Sequence, residues 1–107
     1  MEIVRTTLFV KSLKKLGASS ADLKKLEDAI IANPMAGDVI QGLGGARKLR
    51  FGVAGRGKQG GARAIYVLVV SADTTYLLLA YSKKDQVDLS EKQRKVLASL
   101  VEELKNG

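Results

Sequence analysis

The sequence predicts an α+β domain: two N-terminal helices and a C-terminal helix packed on a small, mainly antiparallel sheet. Three observations lead there. Apolar residues recur at helical spacing near both ends, in Phe9, Leu13 and Leu16 and again in Leu97, Leu100, Val101 and Leu104. Between them lie two dense apolar runs of strand length, Ala64 to Val70 and Tyr76 to Tyr81. Glycine-rich or turn-forming residues border each run, which suits hairpins. At 107 residues the chain reads as one domain, 1–107, and 46% apolar residues are enough for a modest core.

The elements follow in order. Glu2 to Arg5 reads as a short strand. Thr6 or Thr7 caps a helix that runs to about Leu16, and Gly17 stops it. Ser19 stands three residues before Asp22, a carboxylate version of the capping box, and opens a second helix. Leu23, Leu26 and Ile30 line one face of that helix, and Asn33-Pro34 ends it. Gly37 to Gly45 is a connector. In Lys48 to Val53 alternation puts Lys48 and Arg50 on one face and Leu49, Phe51 and Val53 on the other.

Gly52, Gly55, Gly57, Gly60 and Gly61 make a hairpin loop that carries Arg56 and Lys58. Arg63 opens the strand Ala64 to Val70, whose near-continuous apolar character marks a central strand buried on both faces. Ala72-Asp73-Thr74 turns into Tyr76 to Tyr81. A Ser90/Gln93 capping box starts the last helix, from about Glu91 to Lys105. The helices are expected on one face of the sheet.

Charge singles out one stretch. Gly42 to Arg63 holds six of the eighteen basic residues, Arg47, Lys48, Arg50, Arg56, Lys58 and Arg63. No acidic residue occurs between Asp38 and Asp73, so much of the net charge of +7 is local. Clustered cations point to a polyanion partner, with a basic surface kept for solubility as the alternative. The longest apolar run is far shorter than the ~20 residues of a membrane-spanning helix, and Met1 to Val10 does not read as a signal peptide.

With no cysteine and no histidine, disulfides, thiol chemistry and a Ser-His-Asp triad are excluded, and a zinc site loses its usual ligands. No metal or cofactor is expected. Gly55 to Gly61 resembles a phosphate loop, but no Ser or Thr follows Lys58 and a strand, not a helix, comes next. It is better read as a basic loop tip that touches phosphate.

In a three-stranded meander, Lys48, Arg50, Arg63 and the Lys83-Lys84 pair gather at one end of the sheet. Like charges held together cost stability, which argues for use. Phosphate is the natural target. RNA is cut when its 2′-OH attacks the adjacent phosphate. In a chain without histidine a lysine must move the proton, while arginine offers a planar fork to the phosphate oxygens. Lys14, Lys15, Lys24 and Lys25 read as solvated helix faces. Tyr66, Tyr76 and Tyr81 read as core or sheet residues, with Tyr81 the candidate for stacking on a base.

Several short motifs then combine. They are Gly37-Asp38-Val39-Ile40, Gly44-Gly45-Ala46-Arg47-Lys48-Leu49-Arg50, Gly60-Gly61-Ala62-Arg63-Ala64-Ile65-Tyr66, Tyr81-Ser82-Lys83-Lys84-Asp85 and Asp88-Leu89. On these residues, and on element order over essentially the whole chain, the sequence resembles the RelE superfamily of bacterial type II toxins, in particular its HigB-like branch. The resemblance implies a RelE-like fold and a cytoplasmic, metal-independent endoribonuclease. Such an enzyme cleaves translated mRNA in the ribosomal A site and inhibits translation.

Its partners would be the ribosome, mRNA and a cognate antitoxin, a helix-turn-helix DNA-binding protein, with no membrane involved. By position, Lys48, Arg50, Arg63 and Lys83 would be catalytic, and Arg47, Arg56, Lys58, Tyr81 and Lys84 would bind RNA. Two positions depart from the pattern. Ser90 lies near where some relatives carry a tyrosine, and Gln59 stands where a further basic residue is common. A non-catalytic RNA-binding module and a ParE-like toxin directed at gyrase are the competing readings.

Overall fold

The structure, a computed structural model, describes residues 1–54 and 58–107; for residues 58–60 only the backbone is considered. The chain runs β1 (Glu2–Arg5), α1 (Thr7–Leu16), α2 (Ser20–Ala32), β2 (Asp38–Val39), β3 (Arg47–Val53), β4 (Lys58–Val69), β5 (Thr74–Ser82) and α3 (Glu91–Asn106). The five strands form one sheet in the order β1-β5-β4-β3-β2. Among the described residues only β1–β5 is a parallel pair. The α+β class and the mainly antiparallel sheet thus follow the sequence.

Local chemistry sets the helix ends. Thr6 accepts from the Phe9 amide and its hydroxyl donates to Leu77 O at 2.8 Å, so one residue caps α1 and fastens it to β5. Gly17 ends α1 with φ of 80°, a left-handed value that glycine adopts without a Cβ penalty. Both predicted capping boxes are formed, Ser19 with Asp22 and Ser90 with Gln93. Asp22 also reaches the Ala54 amide at 3.2 Å, tying the start of α2 to the end of β3.

Three sequence expectations change. Strand β4 begins at Lys58, inside the stretch expected as loop, because the chain already pairs Val53 with Lys58 there. The connector contains β2, two residues that pair Asp38 with Lys48 and Val39 with Arg47. At the other end, Val70–Ala72 is a short 3-10 turn, not the end of β4, and Asp73 takes the left-handed turn conformation.

The helices also do not share one face. One core joins Phe9, Leu16, Leu23, Leu26 and Ile30 of α1 and α2 to Ala64, Tyr66, Leu77 and Ala80 of the sheet. A second joins Leu97 and Val101 of α3 to Ile65, Val67 and Leu79. Alternate residues of β4 therefore feed opposite cores, and an apolar strand in that position needs cover on both sides. A bulge at Leu78, between the pairs Tyr66–Leu77 and Ile65–Leu79, keeps the alternation in step across β4 and β5.

Candidate functional site

Register builds the site. Arg50 of β3 lies opposite Arg63 of β4, and Arg63 lies opposite Tyr81 of β5. Arg63 and Tyr81 have the parity of Ile65 and Leu79, so the row faces the α3 side. Lys48, paired with Ile65, has the same parity two residues along β3, about 7 Å away. Opposed like charges on neighbouring strands destabilise a sheet. The pair concentrates positive charge on this face, and the Arg63 guanidinium also donates to Ala62 O at 3.1 Å.

A carboxylate enters this cationic row. Asp88, in the turn before α3, stands 3.6 Å from Lys48 Nζ and 4.0 Å from Arg94 Nη2. The Leu89 amide donates to it at 2.8 Å. That hydrogen bond, followed by Lys48 and Arg94, holds the Asp88 carboxyl below its ordinary range against a smaller effect of burial. Both ion pairs are partly exposed, so their value is orientation more than stability.

Tyr81 is 6% exposed and belongs to the second core. Among the described residues its Oη has no hydrogen-bond partner. Burial pushes the phenol up from its ordinary range and Asp88 adds to this, while Arg63 and Arg94 act the other way. This cover agrees with the sequence reading of Tyr81 as a core or sheet residue. What Tyr81 offers the site is a buried hydroxyl on which the charges of Asp88, Arg63 and Arg94 act.

Two arginine forks beside a lysine can hold a phosphate by its oxygens and neutralise added charge. Among the described residues no three carboxylate side chains gather to hold a metal ion. The family model for the RelE toxin of the RelE/RelB toxin–antitoxin system matches residues 1–106. The chain belongs to the RelE toxin family. Among solved structures it is similar to E. coli toxin RelE, a double arginine-to-alanine mutant in the free state. The TM-score is 0.57 at 10% identity, over 92% of this chain and 94% of the other. At that identity the likeness speaks for the fold alone. The family makes this chain the toxin of a toxin–antitoxin system, which implies an antitoxin partner. No helix among the described residues is long and apolar enough to cross a membrane.

The RelE fold does not unite every cation picked out in the sequence. Arg47 pairs with Tyr66 and so faces the α2 side, opposite to Lys48 and Arg50. Its guanidinium donates to Gly37 O at 2.8 Å and to Met35 O at 3.3 Å. The buried Tyr66 hydroxyl holds the same segment, donating to Pro34 O and accepting from the Gly37 amide. A Cβ on Gly37 would come within 2.9 Å of Lys48 O, so glycine permits this close approach. Arg47 thus positions β2 against Lys48 and is not part of the row.

Lys83 continues the ladder through its amide to Gly61 O, and Lys83 and Lys84 are exposed at the turn after β5. Their side chains make no polar contact with the row among the described residues. Arg56 lies outside the described residues, as does the side chain of Lys58. Asp88 and Arg94 are the site residues that sequence reasoning missed. A signal for Arg94 existed: Lys92, Arg94 and Lys95 crowd the start of α3, where the helix dipole disfavours cations.

Proposed function

We propose that this RelE-family toxin is a metal-independent endoribonuclease that cleaves mRNA on the translating ribosome and so inhibits translation. The observation that carries the reading is the Arg50–Arg63 pair on adjacent strands, with Lys48 on the same face. In the reaction the RNA 2′-OH attacks the neighbouring phosphorus and the bond to the 5′ oxygen breaks. A 2′,3′-cyclic phosphate forms. One proton leaves the 2′-OH and one reaches the departing oxygen.

Arg50 grips the phosphate oxygens and Arg63 stabilises the charge that develops on them. Neither guanidinium gives up its proton, so Lys48, held by Asp88, is the side chain of the row that exchanges protons. Lys83 completes the site from the turn after β5, and Lys84 holds the RNA backbone there. Arg56 and Lys58 hold it from the β3–β4 connection. The row supplies the positive charge that other nucleases take from metal ions, which is why the reading needs none. Its place of action is the cytoplasm, and its antitoxin is a helix-turn-helix DNA-binding protein encoded beside it.

The test is cleavage of mRNA on translating ribosomes by the wild type and by Arg63→Ala. The expected result is cut message with cyclic phosphate ends from the wild type and none from the variant. Full cleavage by Arg63→Ala removes that residue from the mechanism. Tight RNA binding without cleavage by the wild type replaces the enzyme with an RNA-binding module.

A further inference from the structure

Strand β1 covers only the first half of β5, pairing with Thr74 to Leu77. Beyond Leu77 the outer edge of β5 faces α1, where Ser12 Oγ accepts from the Ala80 amide at 2.8 Å. Between α1 and the β5–α3 connection lies a groove of about 520 Å³. That volume falls in the range of about 300–1,000 Å³ usual for sites that hold a small organic ligand.

The lining of the groove is graded. Leu8 and Leu79 make an apolar floor. The α3 bank carries the carboxamides of Gln86 and Gln93, which are hydrogen-bonded to each other at 2.8 Å. Asp85 adds an exposed carboxylate on that bank. The α1 bank carries Lys11 and Lys15, one helical turn apart and both exposed. Tyr81 borders the groove as well, and it is 6% exposed with a hydroxyl that has no partner among the described residues. Arg63 stands directly opposite Tyr81 on the next strand, about 5 Å away in backbone spacing. The groove is thus the immediate neighbour of the cation row.

We propose that this groove is a nucleotide subsite. It takes one base of the RNA strand whose phosphate lies on Arg50 and Arg63, and Lys11 and Lys15 hold the flanking phosphate. A nucleobase has apolar faces and an amide-like edge. The apolar floor suits the faces, and the acceptor of Gln86 Oε1 and the second donor of Gln93 Nε2, left over after the bonds to Asp88 O, Ser90 N and each other, pair with the edge. Asp85 repels phosphate and accepts from an exocyclic amine, which puts the phosphate on the lysine bank and the amine on the other. Cytidine or adenosine is therefore preferred over uridine. The proposal rests on the RNA reading above.

The experiment uses the full chain in two arms. In the first, CMP, AMP, UMP and inorganic phosphate are titrated while NMR follows the side-chain amides of Gln86 and Gln93 and the backbone of Lys11 to Lys15. CMP and AMP shift both sets, UMP shifts them less, and Asp85→Asn narrows the difference. In the second, a non-cleavable oligoribonucleotide binds the wild type, Lys11→Gln/Lys15→Gln and Arg50→Ala over a range of salt.

The double variant binds several-fold more weakly, and its salt slope is shallower by about 0.7 per lost phosphate contact. Nucleotide shifts confined to the row, with the double variant binding like the wild type while Arg50→Ala does not, overturn the subsite and leave the RNA reading intact. Shifts given equally by inorganic phosphate, without movement of the glutamine amides, also overturn it. Failure of the wild type to bind RNA at all overturns both.

Discussion

Asp22 joins the start of α2 to the end of the strand that carries Lys48 and Arg50. Its carboxylate accepts from the Ser19 amide at 3.0 Å and from the Ala54 amide at 3.2 Å, and the residue is 6% exposed. Asp22→Ala leaves two amides without an acceptor, at about 1–3 kcal/mol each, with the lower end fitting their partial burial. The expected loss is about 2–4 kcal/mol. With a urea m-value of about 1.5 kcal/mol/M, the unfolding midpoint falls by about 1.3–2.7 M.

The pH dependence has a definite sign. The two amides and the Ser19 hydroxyl hold the Asp22 carboxyl below its ordinary 3.8, with the Ser19 amide the largest cause and burial opposing. A depressed folded-state value contributes stability that is full above the unfolded value and is lost as pH falls through the folded one. The gap between wild type and variant is therefore complete at neutral pH and shrinks below about pH 4. Urea denaturation followed by circular dichroism at several pH values measures it. A midpoint within about 0.3 M of the wild type, or a gap that persists unchanged at about pH 2.5, refutes the reasoning.

Other substitutions separate positioning from binding. Tyr66→Phe removes a buried hydroxyl that serves both Pro34 O and the Gly37 amide, so stability drops by about 1–3 kcal/mol and hydrogen exchange at Gly37 accelerates. Arg47→Ala lowers the melting temperature but leaves the salt slope of RNA binding unchanged, because Arg47 faces away from the row. Arg50→Ala does the reverse, with a slope shallower by about 0.7, read by fluorescence anisotropy. Asp88→Asn changes stability by less than about 1 kcal/mol, since its ion pairs are partly exposed. It keeps or tightens binding of non-cleavable RNA yet slows cleavage, because Lys48 loses the group that aims it; unchanged cleavage in a ribosome assay would remove Asp88 from the site.

Most of the fold was legible because its boundaries are local chemistry. The capping residues Thr6, Ser19 and Ser90, the stop at Gly17 and the break at Asn33-Pro34 act over a few residues. The start of β4 was not legible, because Lys58 to Gly61 has loop composition and only pairing with β3 and β5 makes it strand. The same holds for β2, whose two residues carry no periodicity. The placement of the helices should have followed from β4 itself. A strand read as Ala-Ile-Tyr-Val-Leu-Val-Val is apolar on both faces, and such a strand cannot leave one face to water. One helix layer was an expectation at odds with that reading, and α3 on the second face resolves it.

The candidate site divides along the same line. Lys48 and Arg50 share a face by alternation, and Arg63 joins them by hairpin register, so the core of the row was readable. Arg47 could have been set apart by the same rule, since it has the parity of Leu49 and Phe51 and not of Arg50. Proximity in sequence hid what parity would have shown. Asp88 and Arg94 follow no strand rule. They reach the row only because α3 crosses the far face of the sheet, so their role depends on the helix placement that the sequence reading missed. Tyr81 makes the point most sharply. The sequence reads it as a core or sheet residue beside the basic turn, and it is the α3-side core that encloses the ring. The helix and the turn that bury it also carry Arg94 and Asp88, whose charges act on its hydroxyl, so the placement of α3 sets both the cover of the ring and its electrostatics.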